Sequence, residues 1–104
     1  MMRLYLAGPM SGHADLNYPL FNSEAARLRT LGYEVMNPAE IGTIEGYGWA
    51  DYMRICIGKL LTCEWIALLP GWIDSPGARH EHHISQWLGM PSMLASEIQA
   101  GPAA

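Results

Sequence analysis

The chain has 104 residues, room for one domain, expected to run over 1–104, and not for two. Half of the residues are hydrophobic and 15% are charged, a globular composition rather than a disordered one. Six basic residues against ten acidic ones leave a formal charge of −4 with no basic run. That excludes a nucleic-acid polymer as the expected partner, while a single nucleotide stays open because backbone N–H groups hold a phosphate without many cations.

Arg3 to Ala7 is a short apolar run stopped by Gly8-Pro9, and reads as a buried strand. A polar stretch, Met10 to Asp15, follows. Asn17 stands where a helix cap belongs, with Pro19 in the first turn and Phe21, Ala25, Leu28 and Leu31 at helical spacing. Gly32 closes that helix. Tyr33 to Met36 is a second strand, stopped by Asn37-Pro38, and 39–47 reads as a loop. Helical spacing returns from Trp49 to Leu61, with Tyr52, Met53, Cys56, Ile57 and Leu60 on or near one face. Trp65 to Leu69 is continuously apolar, suited to the middle of a sheet covered on both sides. Ser75 is a favoured cap and Pro76 a favoured first residue for a third helix, whose apolar stripe is read as Ile84, Trp87 and Leu88. Gly89 and Pro91 end it, Ser92 to Leu94 is a weaker last strand, and the tail 101–104 is expected to fray.

Strands alternating with helices imply an α/β fold with a doubly wound, Rossmann-like parallel sheet, helices on both faces and strand order 2-1-3-4. Ligands of such sheets bind beyond the carboxyl ends of the strands at the switch in strand order, which here lies between the first and third strands. The loops at that point are 8–12, Gly-Pro-Met-Ser-Gly, and 70–81.

Ser11 offers a hydroxyl to a phosphate oxygen, and Gly12 permits close backbone approach. The loop is neither a Walker loop nor a dinucleotide fingerprint, so no cofactor is implied. At Ser75-Pro76-Gly77-Ala78 a hydroxyl and free N–H groups, including that of Gly77, meet at a helix N-terminus, which suits an anion. Glu81 lies in the next turn, placed near Ala78, Trp87 and Leu88 on one side of the helix. A carboxylate there can attack an anomeric carbon and form a glycosyl ester. His80, His82 and His83 lack the spacing of a zinc protease and a third ligand, so no metal site is expected. Cys56 and Cys63 fit neither a zinc nor a redox spacing and read as buried thiols. The N-terminus has no secretory pattern and no stretch is long enough to span a bilayer, so no membrane association is expected and a reducing, cytoplasmic setting is. Four Trp, five Tyr and seven Met suggest surplus apolar surface and a homodimer.

At Tyr-Leu-Ala-Gly-Pro-Met-Ser-Gly (5–12), Trp-Ile-Ala-Leu-Leu-Pro-Gly-Trp (65–72) and Ser-Pro-Gly-Ala-Arg-His-Glu (75–81), the chain resembles the nucleoside 2-deoxyribosyltransferase superfamily. The resemblance runs from Arg3 to about Leu94 and is nearest a branch of small bacterial and phage proteins close to the deoxynucleoside monophosphate N-glycosidases. It implies a flavodoxin-like sheet, a nucleoside or nucleotide substrate and cleavage or exchange of the N-glycosidic bond. It also implies roles: Tyr5 and Gly8 approach sugar and base, Ser11 and Gly12 contact the sugar phosphate, Ser75 is a second phosphate contact and Glu81 is the nucleophile. One position departs from the family pattern. An aspartate that handles the leaving base is expected on the second helix, and Cys56 stands there, with Asp51 more than a turn away. Three readings result: an N-glycosidase or transferase, a nucleotide-binding module weakened as an enzyme by Cys56, and a structural partner that uses Trp49, Trp72 and the methionines only to oligomerise.

Overall fold

The computed structural model describes residues 2–103. Strands β1 (Arg3–Ala7), β2 (Glu34–Met36), β3 (Trp65–Leu68) and β4 (Ser92–Leu94) form one parallel sheet in the order β2-β1-β3-β4. The doubly wound order expected from the sequence is the order found. β1 is central, with Tyr5 aligned to Met36 on one side and to Ile66 on the other. The crossovers are α1 (Tyr18–Thr30), α2 (Trp49–Leu60) and α3 (Pro76–Trp87).

Side chains alternate across a strand, so β1 feeds two cores. Leu4 and Leu6 join Phe21, Ala25 and Leu28 of α1 on one face. Tyr5 and Ala7 join Leu60, Ile66, Leu68 and Ala78 on the other, the face covered by α2 and α3. Helices α1 and α3 end alike. The N–H of Tyr33 returns to Leu28 O and that of Gly32 to Arg29 O; the N–H of Met90 returns to Ser85 O and that of Gly89 to Gln86 O. Both glycines take a positive φ, which this double-bonded helix ending requires.

Four sequence expectations change. Asn17 does precede α1, but its backbone is left-handed and its side chain caps nothing: Nδ2 donates to Pro9 O at 2.9 Å, tying the helix start to the end of β1. The loop after β2 opens with a short 3-10 turn at Pro38–Ile41, where Asn37 Oδ1 accepts from the Ala39 N–H. The buried face of α3 is Ala78, Glu81 and Ser85, whereas Trp87 is 74% exposed and Leu88 55% exposed. At about 100° per residue, Trp87 lies half a revolution from Ala78, so the two cannot share a side. Finally, Gly101 and Pro102, the first residues of the tail expected to fray, lie against the end of α1, as does the segment before them. Arg27 donates to Ala95 O and Ile98 O, and Tyr33 Oη donates to Ala100 O at 2.8 Å. A Cβ on Gly101 would collide with the Leu31 carbonyl, and Pro102 lies beside Gly32. Ala104, the last residue of the expected frayed tail, lies outside the described residues.

Candidate functional site

A cavity of about 800 Å³ opens at the carboxyl ends of β1 and β3, where the reversal of strand order predicts it. That volume fits a ligand of nucleoside or nucleotide size. The loops after β1, β2 and β3 form its walls, and Tyr5, Cys56 and Glu81 are among the side chains lining it.

Two elements make the floor. Tyr5 is held on both sides by ladder neighbours and is fully buried. Glu81 is 6% exposed and points inward because Ala78 and Ser85, a turn either side, are small enough to let α3 lie close to the sheet. Tyr5 Oη donates to Glu81 Oε2 at 2.5 Å. Burial disfavours the ionised carboxylate and the Tyr5 hydroxyl favours it; burial dominates and pushes the Glu81 carboxyl up to about 7. The Tyr5 phenol is pushed well above its ordinary value, first by burial and then by the neighbouring carboxylate. Cys56, half-buried on α2, is pushed up by burial and partly pulled back by the Tyr5 hydroxyl, so it stands at the floor as a neutral thiol.

The other residues named from the sequence divide. Ser11, Ser75, Gly8 and Gly77 line the cavity, and Gly12 is not among its lining residues. Gly8 serves the sheet: a Cβ there would stand 2.8 Å from Leu69 Cβ, so the end of β1 meets the end of β3 only without a side chain. A Cβ on Gly77 would stand 3.4 Å from Met53 Sδ, an ordinary contact, so the packing of α3 on α2 does not itself require glycine there. Ser75 Oγ accepts from the Ala78 N–H at 3.3 Å and so caps α3 at the cavity wall.

The loop into α2 and the first turn of that helix form a part of the wall to which the sequence assigned no ligand role. Ile44, Tyr47, Trp49 and Tyr52 line the cavity. Tyr52 Oη accepts from the Ile44 N–H at 2.7 Å, and the Tyr47 and Tyr52 rings meet edge-on at 5.6 Å. The readable signal was the aromatic run Tyr47-Gly48-Trp49 beside a glycine-rich loop. Opposite, Asp15, Leu16 and Asn17 are three consecutive non-glycine residues with positive φ, at about 1–2 kcal/mol each. Strain of this kind concentrates where a wall must hold one shape. The three histidines diverge: His80 faces Trp49, His82 faces Trp72 and His83 faces Trp87.

The sequence profile of a domain of unknown function, DUF4406, matches residues 2–94. The chain belongs to the DUF4406 family. No curated protein matches its sequence. Among solved structures, the DUF4406 chain is similar to a 2-deoxyribosyltransferase from Bacillus psychrosaccharolyticus, described as a biocatalyst for nucleoside synthesis, with TM-score 0.70 and 21% identity over 88% of this chain and 70% of that one. It is also similar to a 2-deoxyribosyltransferase from Leishmania mexicana, with TM-score 0.68 and 20% identity over 90% of this chain and 63% of that one. A conserved protein from Enterococcus faecalis V583 matches with TM-score 0.69 and 22% identity over 88% and 61%. This DUF4406 chain therefore has the nucleoside 2-deoxyribosyltransferase-like fold, as the resemblance implied, and spans 61% to 70% of the lengths of these three structures. No helix among its described residues is long and apolar enough to cross a membrane.

Proposed function

We propose that this protein cleaves or exchanges the N-glycosidic bond of a nucleoside or its 5′-monophosphate through a covalent glycosyl-Glu81 intermediate. The supporting observation is the buried Tyr5–Glu81 pair on the floor of the cavity. A carboxylate kept from water and steered by one hydroxyl is a nucleophile fixed in direction. Glu81 attacks C1′, the base departs, and water or a second base releases the sugar, so the configuration at C1′ is retained. Ser11 and the capped start of α3 at Ser75 and Gly77 receive the 5′ end of the sugar, and the aromatic wall at Tyr47, Trp49 and Tyr52 receives the base. The reading includes a homodimer in a reducing cytoplasm, with Cys56 and Cys63 as free thiols.

The test is incubation with a panel of nucleosides and nucleoside monophosphates, free base being followed by chromatography. Wild type releases base and Glu81→Gln does not. A second reading, a nucleotide-binding module, draws on Cys56, which stands where the resemblance puts an acid. It forecasts nucleotide-dependent thermal stabilisation without base release.

A further inference from the structure

We propose that the substrate of this cavity is a cationic N-glycoside, a nucleoside whose base carries a formal positive charge on the ring bearing the glycosidic nitrogen, such as an N-ribosylpyridinium or an N7-alkylated purine nucleoside. The inference rests on the Glu81 reading above and names the class of leaving group that reading left open.

Leaving-group chemistry is the first ground. A neutral base departs from C1′ as an anion unless a proton reaches it, and a positioned acid supplies that proton at a gain of about 10²–10⁴-fold. Beside the Tyr5–Glu81 pair the floor holds Cys56, a neutral thiol and a poor proton donor. Tyr5 is already committed to Glu81. The remaining acidic and imidazole side chains of the lining, His13, Glu45 and Asp74, are exposed residues of the wall loops and not of the floor. A cationic base needs no acid. As Glu81 forms the C1′–O bond, the electron pair of the breaking C1′–N bond returns to the ring and cancels its charge, and the base leaves neutral with no proton moved. Water then attacks C1′, the C1′–O bond to Glu81 breaks, the sugar keeps the hydroxyl and one proton passes to solvent.

The second ground is the charge and surface of the cavity. Its described lining residues include the carboxylates Glu45, Asp74 and Glu81, the imidazole of His13, and neither lysine nor arginine. A ligand that brings positive charge is attracted to such a lining, and the chain as a whole carries −4. The third ground is the wall where the base lies. Tyr47 and Trp49 are 44% and 56% exposed there, with Tyr52 behind them, and aromatic faces attract a flat cation more than its neutral isostere.

The test compares 2′-deoxyguanosine with N7-methyl-2′-deoxyguanosine, and the matched ribosides, using the full chain. A site without a leaving-group acid keeps, and one that also recognises charge enlarges, the ratio of the two uncatalysed rates. The expected ratio of kcat/KM, cationic over neutral, is therefore at or above that uncatalysed ratio. Cys56→Asp places an acid on the floor and lowers the ratio by speeding the neutral substrate. The unreactive pair 1-methylnicotinamide and nicotinamide reads recognition alone: the cation raises Tm and the neutral amide does not. A wild-type ratio below the uncatalysed one, with both activities lost in Glu81→Gln, overturns the cation preference and leaves the Glu81 chemistry standing. Equal thermal shifts from the two nicotinamides also overturn it. Base released from no substrate overturns both readings.

Discussion

Glu81 is where acidity, stability and chemistry meet. Its carboxyl binds a proton more tightly in the folded protein, about 7, than at its ordinary value of 4.5. Between those two values the folded state holds more protons than the unfolded one, so stability falls as pH rises through the window. Glu81→Gln removes the ionisation and is expected to be more stable than wild type at pH 8 by on the order of 3 kcal/mol, the two converging below pH 4.5. Urea unfolding at the two pH values checks this. In the proposed reaction only the ionised carboxylate attacks, so kcat/KM is expected to rise with pH through a limb near 7. Tyr5→Phe removes the hydroxyl that favours the carboxylate, so that limb moves to higher pH and kcat falls; a pH–rate profile of the variant reads both. At this scale Tyr5, Cys56 and Glu81 were legible as candidates because the resemblance singled out their positions, and all three line one cavity. The wall role of Tyr47 was not, since a loop without periodicity carries no sign of which way its side chains turn, and Trp49 and Tyr52 read only as the start of a helix.

Elements were legible where burial repeats in the sequence. The runs of β1 and β3 are apolar because both faces of the sheet are covered. Helix α3 was misread for a physical reason. Its inward face is small and polar, Ala78, Glu81 and Ser85, and its large residues, Trp87 and Leu88, face outward. A helix that must bring a carboxylate to the floor of a cavity gives up bulk on its buried side to do so. Ser85 is fully buried, with its hydroxyl returned to His82 O at 2.6 Å. Ser85→Leu is expected to force α3 away from the sheet at about 1–3 kcal/mol, and to reduce activity by displacing Glu81. Ser85→Ala preserves both. Thermal melts beside a base-release assay separate the two effects.

For the whole molecule, strand order followed from the alternation of elements alone, because parallel neighbours joined by right-handed crossovers leave few arrangements for four strands. The course of the last segment did not follow. Its hold comes from Arg27 and Tyr33, far away in sequence, and no local pattern announces it. The exposed apolar side chains sort by position. Leu61, Trp87 and Leu88 stand at the C-terminal ends of α2 and α3, while the cavity lies at the opposite ends of those helices. Self-association through that patch leaves the cavity mouth open. Trp87→Glu is accordingly expected to shift a dimer toward monomer with base release retained, and sedimentation velocity is the measurement.

Tyr5 and Glu81 stand 76 positions apart, one aimed by the central strand β1 and the other by α3. No short fragment of the chain contains the pair, so the floor of the pocket forms only once β1 and α3 have packed together. Binding energy at the floor is then also folding energy: a ligand held there at 100 times its Kd adds about 2.7 kcal/mol to the stability of the entire domain. In a cell, the abundance of such a protein would follow the supply of its ligand.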